Sequence, residues 1–225
     1  MSNSIGRYEV ANSNMKRTVH KRSNASIEDI MKVILHVHHN NDEQTKEFAN
    51  NFDFTRLNGF RQLWRTIKRD INYVPDRPGL EVVKSPAALY DIGEGDCKSF
   101  TIASGTTMLN GGVEQVYYDL VHYGDPSQAH IYPVAIVDGQ EIIMDSVHDY
   151  FNQRARGEKW RMRYDPVRRI VVSESGVKGF SSDNIFYQIL KTGLIGGGIF
   201  TLIKSNNILD MAIGGAMIYV GWNKI

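Results

Sequence analysis

A chain of 225 residues, 42% of them hydrophobic, is long enough to bury one sizeable core with extensions. Its 26 Lys and Arg against 25 Asp and Glu leave a net charge of +1, so no global field draws it to nucleic acid. A single cysteine excludes an intramolecular disulfide and any zinc site built on two or more thiolates, so the fold must stand on packing.

Residues 1–22 are polar and carry Lys16, Arg17, Lys21 and Arg22 without an apolar run; they read as a flexible basic arm and not as a secretory signal. Ser26 and Asp29 have the spacing of a capping box. Ile27, Ile30, Met31, Ile34, Leu35 and His38 then recur at helical spacing to about residue 39. A second helical stretch is predicted from Asp42 to Asn51. A third presents Leu57, Phe60, Leu63, Trp64, Ile67 and Ile71 on one face. Pro75, Pro78 and Gly79 break the pattern, and Ser85-Pro86 reads as an N-cap with proline at the first helical position.

The segment Gly93-Glu94-Gly95-Asp96-Cys97-Lys98-Ser99-Phe100 holds the only cysteine, at a glycine-loosened turn entering a helix that Gly111-Gly112 ends. Unpaired N–H groups and the positive end of the macrodipole favour a thiolate there, against the alternative of a buried structural cysteine. Strand-like runs follow at Val113–Tyr123, His130–Val137, Gln140–Val147, Trp160–Tyr164 and Arg169–Ser173. Trp160-Arg161-Met162-Arg163 alternates as an edge strand facing water would. Helices followed by an antiparallel meander make an α+β protein, with the cysteine helix at the join.

Asp138-Gly139 between two apolar runs signals a two-residue hairpin, which pairs Val137 with Gln140. Counting back, Ile136 faces Glu141, Pro133 faces Met144 and Tyr132 faces Asp145, so His130 shares a face with Tyr132 and lies diagonal to Asp145. Cys97 would be the nucleophile, His130 the base, and Asp145 the group that fixes the imidazole. His122 and His148 compete with His130, and Asp149 with Asp145; the hairpin register selects the pair. The N–H of Cys97 and its helix neighbours would form part of an oxyanion hole. His36, His38 and His39 suggest a metal only weakly, since no carboxylate or Cys completes a site, and they read as a solvated helix end.

Gly95-Asp96-Cys97-Lys98-Ser99-Phe100, the helix ending at Gly111-Gly112-Val113, the strand His130-Ile131-Tyr132 and the strand end Met144-Asp145 resemble the transglutaminase-like cysteine enzyme superfamily over roughly residues 64–150. Size and the Pro-flanked upstream segment are similar to compact members encoded by tailed bacteriophages. The resemblance implies a papain-like core, with the nucleophile helix packed on an antiparallel sheet, and thioester chemistry at Cys97, His130 and Asp145. It spans amide hydrolysis, glutamine-to-lysine acyl transfer and inactive members. It implies neither a cofactor nor a calcium requirement, since the acidic metal sites of the animal enzymes are missing. Pro133 departs from the pattern and suggests an edge or a bulge at that strand.

Residues 185–203 and 208–222 form two glycine-rich apolar stretches around a polar turn, each near the roughly 20 residues that cross a bilayer as a helix. Membrane insertion or surface association through residues 185–222 is one reading; an oligomerising or buried hairpin and strand-like packing are the others. The expected organisation is an arm over 1–22, a catalytic domain over 23–180 and an apolar hairpin over 181–225. The expected function is a cysteine amidase or peptidase acting on a protein or peptide amide. Its rivals are a protein-crosslinking acyltransferase and a non-catalytic structural or membrane-associated phage protein.

Overall fold

The computed structural model describes residues 16–124, 129–154 and 157–176, together with strand segments between 194 and 221. It is α+β. Chain contacts divide it into two units, 1–176 and 177–225.

In the first unit, part of the stretch expected as a free arm is a strand: β1 (Val19–Ser23) pairs antiparallel with β3 (Leu80–Lys84), His20 opposite Val83. The capping box forms as read. Ser26 accepts from the Asp29 N–H, and α1 (Ile27–Asn41) buries Met31, Ile34, Leu35 and Val37. The predicted second helix is split, one 3-10 turn over Asp42–Thr45 and one turn of α2 (Lys46–Ala49). Helix α3 (Leu57–Asp70) buries Phe60, Leu63, Trp64 and Ile67 on the expected face. Two short strands escape the sequence pattern, β2 (Asn72–Tyr73) and β4 (Glu94–Gly95), which pair in parallel on either side of β3 and α4 (Pro86–Ile92). Ser85 caps α4 through the Ala88 N–H, with Pro86 at the first position.

Helix α5 (Cys97–Asn110) is the centre of the unit. It buries every residue from Lys98 to Met108 instead of one face, which is why it carries no amphipathic stripe. It packs on a five-stranded sheet of β5 (Gln115–His122), β6 (His130–Val137), β7 (Gln140–Ile143), β8 (Trp160–Asp165) and β9 (Ile170–Gly176), in the order β7-β6-β5-β8-β9. All pairings are antiparallel, but the order is not a plain meander: the chain crosses from the β7 edge to the far side of β5.

Two contacts set the spacing of helix and sheet. A Cβ built on Gly105 would stand 2.4 Å from the Tyr118 hydroxyl and 2.5 Å from its ring, so only glycine lets the helix lie this close. One turn earlier along α5, the Thr101 hydroxyl donates to the Ile131 carbonyl at 2.9 Å. Tyr118 in turn lies 2.7 Å from Nδ1 of His38, and burial pushes that imidazole down to about 4. His38 is therefore core, not the solvated helix end expected of it, whereas His36 and His39 are exposed.

The strand expected at an edge, β8, and the one expected to mark an edge or a bulge, β6, are both interior. β6 is flanked by β5 and β7, and β8 by β5 and β9. The alternation in β8 separates two environments: Trp160 and Met162 join the core, while Arg161 and Arg163 meet the fully buried carboxylate of Asp119. Arg163 reaches it at 2.6 and 2.8 Å, and Arg154 at 3.0 Å, with Glu141 and Glu158 completing the charge balance. A buried carboxylate paired in this way is costly to disrupt from one side, because the guanidinium groups are left desolvated. Asp119→Asn is expected to destabilise the fold by about 3 kcal/mol in urea unfolding, a change of charge without change of shape.

In the second unit, described by its backbone, β10 (Leu194–Ile195) pairs with β11 (Gly198–Ile199), and β12 (Ile203–Ser205), β13 (Ile208–Ile213) and β14 (Ala216–Gly221) form an antiparallel meander. The described parts of the apolar stretches are thus strands and not the helical hairpin. Glycine costs a helix about 1 kcal/mol per site, whereas Ile, Val and Tyr favour strands. Among the described residues no helix is long and apolar enough to cross a membrane. The rest of 181–225, and residues 1–15 of the arm, lie outside the described residues.

Candidate functional site

The thiol is placed by a capped helix start. Gly93 takes a left-handed conformation at the end of α4, the short β4 follows, and Asp96 caps α5 by accepting from the Ser99 N–H. Cys97 is then the first helical residue, half-buried and free. Lys98 points into the protein, where its ammonium meets Glu81 at 2.7 Å, Asp76 at 3.0 Å and Asp96. Burial works against that charge, yet Asp96 and Glu81 hold the ammonium above the ordinary lysine range.

The hairpin has the derived register. Asp138 and Gly139 both have positive φ, as a two-residue turn with matching twist requires, and Val137 pairs with Gln140 and Ile136 with Glu141. The ladder is extended past β7 by one bond, from the Met144 N–H to the Pro133 carbonyl. Proline has no N–H to return, so pairing ends there and the chain turns off at Asp145. Pro133 therefore marks the end of its partner and not an edge of its own strand.

That turn brings Asp145 to His130. Oδ2 lies 2.8 Å from Nε2 of the ring, and Oδ1 accepts from the Val147 N–H at 3.0 Å. The Cys97 side chain lies beside the same ring and favours its charged form. All three predicted residues thus converge. Burial of the ring disfavours its charge, but the bond to Asp145 and the neighbouring Cys97 side chain outweigh it and push His130 up to about 10.

Two of the three competitors fall elsewhere. His122 stacks on Trp160. Asp149 is exposed and pairs with Lys68 at 3.2 Å. His148 stays at the site: its ring is edge-on to that of His130, centroids 5.4 Å apart, with Nε2 3.4 Å from the same Oδ2 but without hydrogen-bond geometry. His130, Asp145 and His148 together have the donor types of a transition-metal site. Their shared carboxylate oxygen holds His130 at 2.8 Å.

Sequence reasoning missed what holds Asp145. Trp64 donates its indole N–H to the Asp145 carbonyl at 2.7 Å. One turn on, Lys68 gives its ammonium to the carbonyls of Ser146, Val147 and His148 at 3.3, 3.4 and 3.0 Å. The only signal was Trp64 and Lys68 four apart on α3, and nothing in the chain pattern says what they face.

Beside Cys97 and His130 opens a cleft of about 570 Å³. One wall is α1, where Ile34 and Met31 are buried and Ile30 and Ile27 half-exposed; Asp76, Glu81 and Lys98 line the other.

Three outcomes are expected. The His130 imidazole should titrate near 10 by NMR in wild type and fall towards the ordinary histidine range in Asp145→Asn. A group raised on folding stabilises below its unfolded value of about 6.5 and loses that contribution as pH rises through 10, so the urea midpoint should fall over that window more in wild type than in His130→Gln. Lys68→Met should raise amide exchange at residues 146–148 while leaving exchange in α5 unchanged.

No family model matches the chain, and no curated protein matches it. Among solved structures it is similar to LapG of Legionella pneumophila. The EGTA-treated form is 17% identical with a TM-score of 0.40, over 62% of this chain and 82% of that one. A further LapG structure is 15% identical with a TM-score of 0.39, over 62% and 83%. The calcium-bound form is 18% identical with a TM-score of 0.39, over 61% and 83%.

Proposed function

We propose that this protein is a cysteine amidase or peptidase of transglutaminase-like type, with Cys97 as nucleophile, His130 as acid and base, and Asp145 as the group that orients His130. The observation that carries the reading is one imidazole bonded to a buried carboxylate at 2.8 Å, with the only thiol of the chain beside it at the same cleft. A thiol at a helix start, an imidazole that stays protonated and a cleft opening on both are the parts that amide attack requires.

The steps follow from those positions. Cys97 Sγ attacks the amide carbonyl carbon as thiolate, and the carbonyl electron pair moves to oxygen. As the tetrahedral adduct collapses, the C–N bond breaks and the His130 imidazolium gives its proton to the departing amine, leaving an acyl thioester. His130, now neutral, takes a proton from water as that water attacks the thioester. The C–S bond breaks, releasing the acid and restoring the thiolate–imidazolium pair. Asp145 keeps its charge throughout and holds the ring for both transfers. Water suffices as the second nucleophile, whereas crosslinking would require an amine site that keeps water out. The cleft suits a peptide that lays an apolar side chain on α1, which is the support for a protein or peptide substrate.

Iodoacetamide alkylation of Cys97 at neutral pH, followed by mass spectrometry, tests the pairing. The rate should fall at least about tenfold in His130→Ala, and less in Asp145→Asn, because the imidazolium is the counter-ion of the attacking thiolate. Equal rates in all three proteins would remove the catalytic reading.

A further inference from the structure

If Cys97 attacks an amide, a full negative charge develops on the former carbonyl oxygen, and donors already aimed at it supply a large share of the rate. One donor follows from the fold. The Cys97 N–H opens α5, and the carbonyl four residues back, that of Gly93, takes the Asn72 N–H instead. The cap is engaged further along, with the Asp96 side chain on the Ser99 N–H and the Asp96 carbonyl on that of Phe100. A second donor has to come from outside the helix, across Cys97 from His130.

β2 supplies a residue beside the first turn of that helix. It runs parallel to β4, the strand that leads into Cys97, with Tyr73 in register with Gly95 and the Val74 N–H donating to the Gly95 carbonyl at 2.8 Å. Residues in register on neighbouring strands send their side chains to the same side. A Cβ on Gly95 would point at Leu89, Ser99 and Phe100, which is towards the first turn of α5. The Tyr73 ring lies on that side, edge-on to Phe100 with centroids 6.1 Å apart, and Phe100 is one turn on from Cys97. The residue is 45% exposed, and among the described residues its hydroxyl has no hydrogen-bond partner. Burial, and next the charge of Cys97, push the phenol up to about 12, so it keeps a proton to donate.

We propose that the Tyr73 hydroxyl is the side-chain donor of the oxyanion hole and acts with the Cys97 N–H on the oxygen of the tetrahedral adduct. This rests on Cys97 being the nucleophile. Tyr123 is the competing phenol, buried without a hydrogen bond and also within the field of Cys97. It packs against Val121, Tyr132 and Ile143 on the side of His130, and Asp145 is the charge it feels most.

Two reactions of the same thiol separate the roles. Acylation of Cys97 by p-nitrophenyl acetate, read as a burst of p-nitrophenolate, passes through an oxyanion; alkylation by iodoacetamide displaces iodide at a saturated carbon and does not. Tyr73→Phe should slow acylation about 10²-fold and change alkylation by no more than about twofold, while Tyr123→Phe leaves acylation near wild type. Equal acylation in Tyr73→Phe and wild type, or an equal loss in Tyr123→Phe, would overturn the assignment. If His130→Ala altered neither reaction, the thiol–imidazole reading itself would fall, and the oxyanion donor with it.

Discussion

The spacing between α5 and β6 is the quantity on which the site depends. The thiol is on the helix and the imidazole on the strand, and their meeting requires the helix to lie almost on the sheet. Gly105 allows that approach by leaving its space to the Tyr118 ring, and Thr101 holds it by donating to the Ile131 carbonyl, one residue from His130. Cys97 is one turn before Thr101. A single hydrogen bond and a missing methyl group thus fix where the thiol stands relative to the ring. Burial of the whole helix from Lys98 to Met108 prevents it from rotating away.

Asp145 is held from three directions, each using a different part of the residue. Its side chain takes the His130 ring and the Val147 N–H, and its carbonyl takes the Trp64 indole. Nothing about its own strand supports it, since pairing ends at Met144. The site therefore draws on three separate elements: α5 for the thiol, the sheet for the ring, and α3 for the loop that carries the carboxylate. The Lys68 ammonium, surrounded by three carbonyls, does for this loop what a helix or strand would otherwise do, giving its backbone oxygens a partner.

Much of this was legible in the chain. Capping at Ser26 and Ser85, the helix start at Cys97 and the hairpin register are local, set by residues within a few positions of one another, and they form as read. What was not legible depends on partners distant in sequence. The short β2–β4 pair joins residues about twenty apart and has no pattern of its own. The interior place of β8 could not be seen because Arg161 and Arg163 look like surface residues until Asp119 is found beneath them. His38 looked solvated for the same reason, its partner Tyr118 being eighty residues away. In the last fifty residues, glycine-rich apolar runs are compatible with either a helix or a strand, and length alone pointed to the wrong one for the described segments.

The two-residue turn at Asp138-Gly139 makes the alignment of carboxylate and imidazole a whole-number property. Strands slide past each other only by complete residues, and a slip of one would present Met144 or Ser146 where Asp145 now stands. Substitutions elsewhere in the sheet can loosen the contact but cannot leave it half a residue out. An extra residue inserted at the turn is either absorbed there, with the site intact, or transmitted along β7, with the site erased. In this part of the molecule the contact between carboxylate and imidazole is kept through changes of length in an all-or-none manner, while its strength is left to the side chains that surround it.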